Sequence, residues 1–327
     1  MCSKRAFVFT LVLLIPAVPV GAALNLPGDD VGISFGNSET FSGLRFNWSD
    51  DGVRHVSGFN FTLWEPGYNP GATYDGIIIG LGGNTGDEVS GFYGSLIGQG
   101  EPRILGIAAS PFGFGADDLS GVAIAGLGMG GRDMEGLLIA GLGMGGHDLT
   151  GLGLAGLGMG GRDMTGIFSA GLGMGGEDMT GLFAAGLGMG GQDMTGIFAA
   201  GLGMGGQDMT GLFAAGLGMG GQQLEGIFFG GLGVGAESIE GVAVSLAGIG
   251  GEDLTGLHLT GGYLRSEEFT GFGTGAVTRV TRRAEGITIG LFNYARRLDG
   301  VQIGILNYAG NNPRGLKWLP GINAHFD

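Results

Sequence analysis

The sequence predicts an all-β repeat protein, a β-solenoid built from coils of about 15 residues. Three observations carry this. Glycine supplies 79 of 327 residues, against an ordinary share of about 7%, while only 9 prolines are present, which excludes a collagen helix. The hexapeptide GLGMGG begins at Gly126, Gly141, Gly156, Gly171, Gly186, Gly201 and Gly216, and GLGVGA follows at Gly231, each step being 15 residues. That period is too short for a pair of helices, and each interior glycine costs a helix roughly 1 kcal/mol. It fits strands and turns. Hydrophobic residues reach 43% and charged residues only 14%, so the chain is neither a flexible linker nor a disordered tail.

Residues 1–22 are expected to be a secretory signal peptide. Lys4 and Arg5 give a positive start, Ala6 to Val20 form an apolar run, and Val20-Gly21-Ala22 supplies small residues for cleavage. Pro16 and Pro19 break the run as a membrane anchor. The only cysteine, Cys2, lies inside this segment. Export without disulfides suits a bacterial envelope protein. Residues 23–42 are expected to lead into the repeats, and 43–327 to form a single β-repeat domain with Met/Gly-rich central units over 121–230.

Within that domain a glycine followed by an apolar residue marks each unit. It recurs at 43, 58, 76, 91, 106 and 121, then every 15 residues to 286, and last at 300 and 315. The longer step after Gly58 holds Glu65-Pro66-Gly67-Tyr68-Asn69-Pro70, a loop sequence. Side-chain parity changes inside a unit. Leu152 and Leu154 share one parity, Leu157 and Met159 the other; so do Val301 and Ile303 against Leu306 and Tyr308. A corner near Ala155-Gly156 would turn all four central residues inward. This favours two short strands per coil, stacked on the next at about 4.8 Å. Methionines 129 to 219 and 134 to 209 then form core columns, and glycine allows close sheets and positive φ at corners. The alternative is an outer-membrane antiparallel β-barrel with one strand per repeat. Strands of about ten residues would suit it, as would the alternation of Ile322, Ala324 and Phe326.

The segment Gly286 to Gly310, GITIGLFNYARRLDGVQIGILNYAG, resembles the G-V-Q-I-G-L-x-N repeats of a bacterial surface-repeat family found in leptospiral-type and other Gram-negative envelope proteins. Gly300 to Asn307 carries the pattern, and Gly286 to Asn293 carries it with Thr288 in place of Gln. The central Met-rich units lack the Asn. The resemblance implies envelope or surface placement and supplies no mechanism and no binding residues.

Candidate sites are few. GLGMGG looks like a phosphate loop, but such a loop needs a following helix, and the repeats leave no room for one. An acidic column runs through Asp118, Asp133, Asp148, Asp163, Asp178, Asp193 and Asp208, resuming at Asp253 and Glu268. Stacked carboxylates repel unless solvated, hydrogen-bonded or bridged by a cation. Asp133, Asp148, Asp163, Asp178, Asp193 and Asp208 are therefore weak calcium candidates, with turn-capping as the plainer role. Asp193 and Thr195 with their equivalents would form an exposed Asp-x-Thr ladder. His55, His147, His258 and His325 lack metal-ligand spacing. Net charge is −15, which disfavours nucleic acid and anionic membranes as partners. Arg279, Arg282, Arg283, Arg296 and Arg297 gather positive charge near the C-terminus. No catalytic cluster and no cofactor site is expected. The expectation is an exported, non-enzymatic protein of the bacterial cell surface or outer membrane, structural or adhesive, with self-association or envelope contact as its partner modes. The alternative function is a barrel with a passive pore or anchoring role.

Overall fold

The structure, a computed structural model, describes residues 23–64, 67, 69–83, 86–98 and 101–326. The expected signal peptide with Cys2 and part of the 65–70 loop lie outside the described residues. The fold is all-β, without a helix among the described residues, and is a β-solenoid of about 18 turns at roughly 15-residue spacing. The described chain divides into two compact units, one ending at His147 and the other beginning at Asp148.

In the second unit each central coil contributes a strand of eight residues and one of three, such as Asp178–Ala185 and Gly188–Gly190. The next coil lies on it in parallel and in register: Asp178 opposes Asp193, Phe183 opposes Phe198, and Met189 opposes Met204. This pairing overturns the barrel alternative, whose strands would run antiparallel. It also removes the barrel's pore or anchoring role. The reason is chemical equivalence: only a parallel stack gives every Asp-Met-Thr-Gly the same surroundings, coil after coil.

Two columns of methionine fill the interior as expected. Met164, Met179, Met194 and Met209 form one, and Met159 through Met219 the other, all buried. A third column, Phe168, Phe183, Phe198, Phe213 and Phe228, stacks ring on ring. These side chains leave no space for the leucines that parity assigned inward. Gly153, Ala155 and Met159 face the core, whereas Leu152, Leu154 and Leu157 are about half exposed. The bend at Gly156-Leu157 redirects the chain without exchanging its faces, and the Phe168 ring occupies the space above Gly153.

Glycine serves two different purposes. Gly196 sits inside the eight-residue strand at φ +132°, and a methyl there would strike the Gly181 carbonyl. The positive-φ position thus lies within a strand and not at the corner between strands. Gly188 has ordinary φ, and a methyl would stand 3.7 Å from the Gly203 oxygen. The fold demands glycine at the first position and merely tolerates it at the second.

In the first unit the coils begin upstream of their expected start. Val31–Gly36 already pairs in parallel with the strand Thr40–Asn47, and Ala23–Pro27 covers it antiparallel. The lead-in is therefore β-structure, and its antiparallel strand caps the stack edge. Along this unit Phe41, Val56, Tyr74, Val89, Ile104, Leu119 and Met134 form one inner column. The interior is polar at its beginning. Arg45 and Asp50 form a fully buried ion pair. Arg45 also donates from Nη1 to Asn60 Oδ1 at 2.8 Å, and Asp50 accepts from the Thr62 hydroxyl at 2.9 Å.

The C-terminal coils are polar inside as well. Gln302 and Asn307 point inward while Ile303 is exposed and Val301 is half-buried, which again reverses the parity reading. Asn293 donates from Nδ2 to Asn307 Oδ1 at 2.7 Å, and Asn307 donates to the Gly321 carbonyl at 3.1 Å. The expected marker at Gly315 lies in a turn, and Trp318–His325 returns antiparallel on Phe292–Ala309. Ile322, Ala324 and Phe326 thus belong to an antiparallel capping end and not to a barrel's closing strand.

Candidate interaction surface

The central coils of the second unit, from Ile167 to Leu232, sort their residues into three outward columns. The first is apolar and large: Ile167, Leu182, Ile197, Leu212 and Ile227 point away from the core, each between 36% and 49% exposed. The second is small: Ser169, Ala184, Ala199 and Ala214, with Phe229 closing one end. The third is large again: Leu172, Leu187, Leu202, Leu217 and Leu232, 46–53% exposed, at the bend. Along each coil the two aliphatic columns thus stand on either side of a row of small residues, whose alanines and glycines line a groove. The groove has a volume of about 810 Å³ and runs from Ser169 to Leu246. An uninterrupted apolar face of this extent is uncommon on a protein that stands alone in water.

Sequence reasoning missed this surface because it turned the leucines inward. A signal was present. Phe168, Phe183, Phe198 and Phe213 share parity with Ala170, Ala185, Ala200 and Ala215, and only one of the two parities can occupy a thin core.

The acidic column is where the sequence placed it. Asp148, Asp163, Asp178, Asp193 and Asp208 oppose one another in register, and in the first unit Asp118 opposes Asp133. Arginine relieves part of the crowding. Arg162 reaches Asp148 at 3.6 Å and Asp163 at 3.5 Å, and Arg132 does the same for Asp118 and Asp133. Farther along, Asp178 has its pKa raised by partial desolvation in the column and then by the neighbouring charges of Asp163 and Asp193. Among the described residues no group of three or more carboxylates, histidines or cysteines is arranged to hold a metal ion. The threonines of the Asp-x-Thr ladder, Thr165, Thr180, Thr195 and Thr210, are exposed beside this column.

The histidines are scattered. His258 alone is fully buried, edge-on to Phe269 at 6.0 Å. Burial lowers its pKa to about 4 against an opposing pull from the Thr255 backbone, and neither ring nitrogen makes a well-formed hydrogen bond. His55 bonds Thr73 and His325 bonds Asn312. Of the C-terminal arginines, Arg282 pairs with Glu267 and Glu268, and Arg283 with Glu285 and Asp299. The GLGMGG repeats lie across the bend and the start of the strand that follows it, with no helix among the described residues to complete a phosphate site.

Compared with known proteins, the chain matches no family model, no curated protein and no solved structure.

Proposed function

We propose that the protein is an exported, non-enzymatic element of a bacterial cell envelope that works through a repeated, ridged binding face, as a structural or adhesive component. The observation that carries this is the pair of exposed aliphatic columns, Leu182 with its equivalents and Leu187 with its equivalents, flanking the alanine groove. Leaving so much aliphatic surface in water is costly, at about 25 cal/mol per Å², and a bound partner offsets that cost. Regular coils are suited to such a role because every coil adds the same strip of surface.

Two further features support the reading. The expected signal segment at 1–22 favours export. The resemblance of Gly286 to Gly310 to envelope surface repeats favours the cell surface. Chemistry is better served by a few convergent acid, base or nucleophile groups than by identical columns.

Fractionation of cells expressing the full chain tests the proposal. The expected result is a shortened protein, lacking the leader, that is digested by protease added to intact cells and extracted by carbonate without detergent. A full-length protein retained in the cytoplasm would overturn export. A hydrolase activity abolished by one point substitution would overturn the non-enzymatic role.

A further inference from the structure

We infer that the face formed by Ile167, Leu182, Ile197, Leu212 and Ile227, the alanine groove, and Leu172, Leu187, Leu202, Leu217 and Leu232 is covered by the same face of a second copy of this chain. The inference rests on the proposed binding role of this surface and names its partner.

The first argument is area. A half-exposed Leu or Ile leaves roughly 80 Å² open, and the ridges of these coils with the groove floor supply on the order of 900 Å² per copy, which matches the share of about 800 Å² per partner in a stable interface. A smaller patch would serve only a transient encounter, and a polar one would need no cover.

The second argument is commensurate spacing. The ridges are rows of aliphatic knobs repeated at the strand spacing of about 4.8 Å, because Leu182 opposes Ile197 and Ile197 opposes Leu212 in strict register. A partner with any other spacing fits such a row at one or two knobs and then drifts out of step. Another copy has the identical spacing and stays in step along the whole face. The relief is also complementary to itself. A two-fold axis lying in the plane of the interface, parallel to the ridges and midway between the Ala184 and Leu187 rows, seats the Leu187 row of each copy in the Ala184 groove of the other. That arrangement closes as a dimer and does not grow into a filament.

The third argument is charge, and it weighs against a lipid surface as the occupant. The two ridges and the groove carry no Lys or Arg, the aromatic residue in the groove is Phe229 alone, and the neighbouring column is acidic through Asp178, Asp193 and Asp208. A membrane-seated face carries basic residues and Trp or Tyr at its margin.

Sedimentation velocity on the purified full chain, alongside the double substitution Leu187→Glu and Leu202→Glu, tests the inference. The dimer predicts a two-copy species at about 20 μM for the unmodified protein and a loss of at least ~100-fold in self-affinity for the variant. Circular dichroism should stay unchanged, since both side chains point outward, while the melting temperature of the variant should no longer rise with protein concentration as that of the dimer does. A second variant, Ala199→Arg, fills the groove from the other side and should also yield monomers. An unmodified protein that is monomeric at that concentration, or a dimer that survives both variants, would overturn the inference. The broader binding role is read separately, by flotation with neutral phosphatidylcholine vesicles. A monomer that floats, with flotation lost in the double variant, makes lipid the occupant and keeps the face as a binding surface. A monomer that does not float overturns both.

Discussion

The rings of Phe198 and Phe213 lie 4.8 Å apart with planes only 2° from parallel. That separation is the spacing between neighbouring strands, so the aromatic stack is simply the coil repeat expressed in side chains. Phe183 continues it on the other side of Phe198 at 4.9 Å. Each ring is thus held between two equivalents of itself, with no solvent at its faces.

Truncating one ring should be costly. Phe198→Ala leaves a cavity between Phe183 and Phe213, and rigid coils above and below cannot collapse into it. A loss of about 3–5 kcal/mol is expected, measured by urea denaturation. The side chain of Thr195 in the same strand is exposed and supplies the comparison: Thr195→Ala should cost less than about 1 kcal/mol. Equal losses at the two positions would contradict the assigned faces.

The two kinds of glycine should separate in one experiment. Gly196→Ala forces an L-residue to φ +132° against the Gly181 carbonyl, a clash with backbone that cannot move without shifting a neighbouring coil. A loss of several kcal/mol or failure to fold is expected, beyond the ~1–3 kcal/mol of backbone strain alone. Gly188→Ala meets ordinary contact distances and should be neutral or stabilising by about 0.4–1 kcal/mol, because it restricts the unfolded chain. Thermal melts of both variants give the answer.

Much of this architecture is legible in the sequence, and the reason is the uniformity of the columns. Gly126 to Gly231 set the period, and the identical turns Gln192-Asp193 and Gln207-Asp208 point to a parallel stack. The methionine columns and the acidic register follow from the same equivalence. The inward face does not. Leu152 and Leu154 outweigh Gly153 and Ala155 on hydrophobicity alone, so parity is assigned by size. In a core this thin the small residues face inward because Phe168 and Met159 from the same stack already fill it. The buried Gln302 and Asn307 escape for a related reason: Asn307 bonds along the stack, a partner that one isolated coil does not reveal.

Stability should fall in mildly acidic solution, and His258 supplies the slope. Its pKa is about 4 in the folded protein and close to 6.5 when unfolded. A lowered value means that the unfolded chain takes up the proton first. The His258 contribution is therefore complete above about pH 6.5 and is lost progressively as pH falls toward 4, by an amount of up to about 3 kcal/mol. Urea midpoints at pH 7.5 and pH 4.5 should differ by more in the unmodified protein than in His258→Leu. Identical slopes would remove His258 as the cause.

The acidic column should respond in the opposite sense. Asp178 has a raised pKa in the folded state, so protonation there is easier in the coil than in the unfolded chain. Its repulsion is present at neutral pH and is relieved as pH falls toward the folded value. Asp178→Asn should raise the melting temperature at pH 7, and added sodium chloride should narrow the difference by screening. Calcium serves as a further probe: if cations bridge Asp163, Asp178 and Asp193, calcium will raise the melting temperature of the unmodified protein and not that of the variant. A melting temperature lowered by Asp178→Asn would show that the carboxylate stabilises its coil, as a turn cap does.

In-register stacking also bears on how such a gene changes length. Asp178–Ala185 and Asp193–Ala200 have the same neighbours before and after them, so excision of residues 181–195 rejoins every column with its own kind. Excision of 181–194 leaves one coil a residue too long, which must bulge to restore the columns, as the 14-residue step to Gly300 does with a register shift between Val280 and Arg283, but here within the tightly packed central coils. A chain shortened by the first deletion should melt within a few degrees of the original, and one shortened by the second should not. Recombination between near-identical DNA repeats therefore adds or removes whole coils at little structural cost. The reading frame of the fold is fifteen codons long, and length becomes something that selection can adjust one coil at a time.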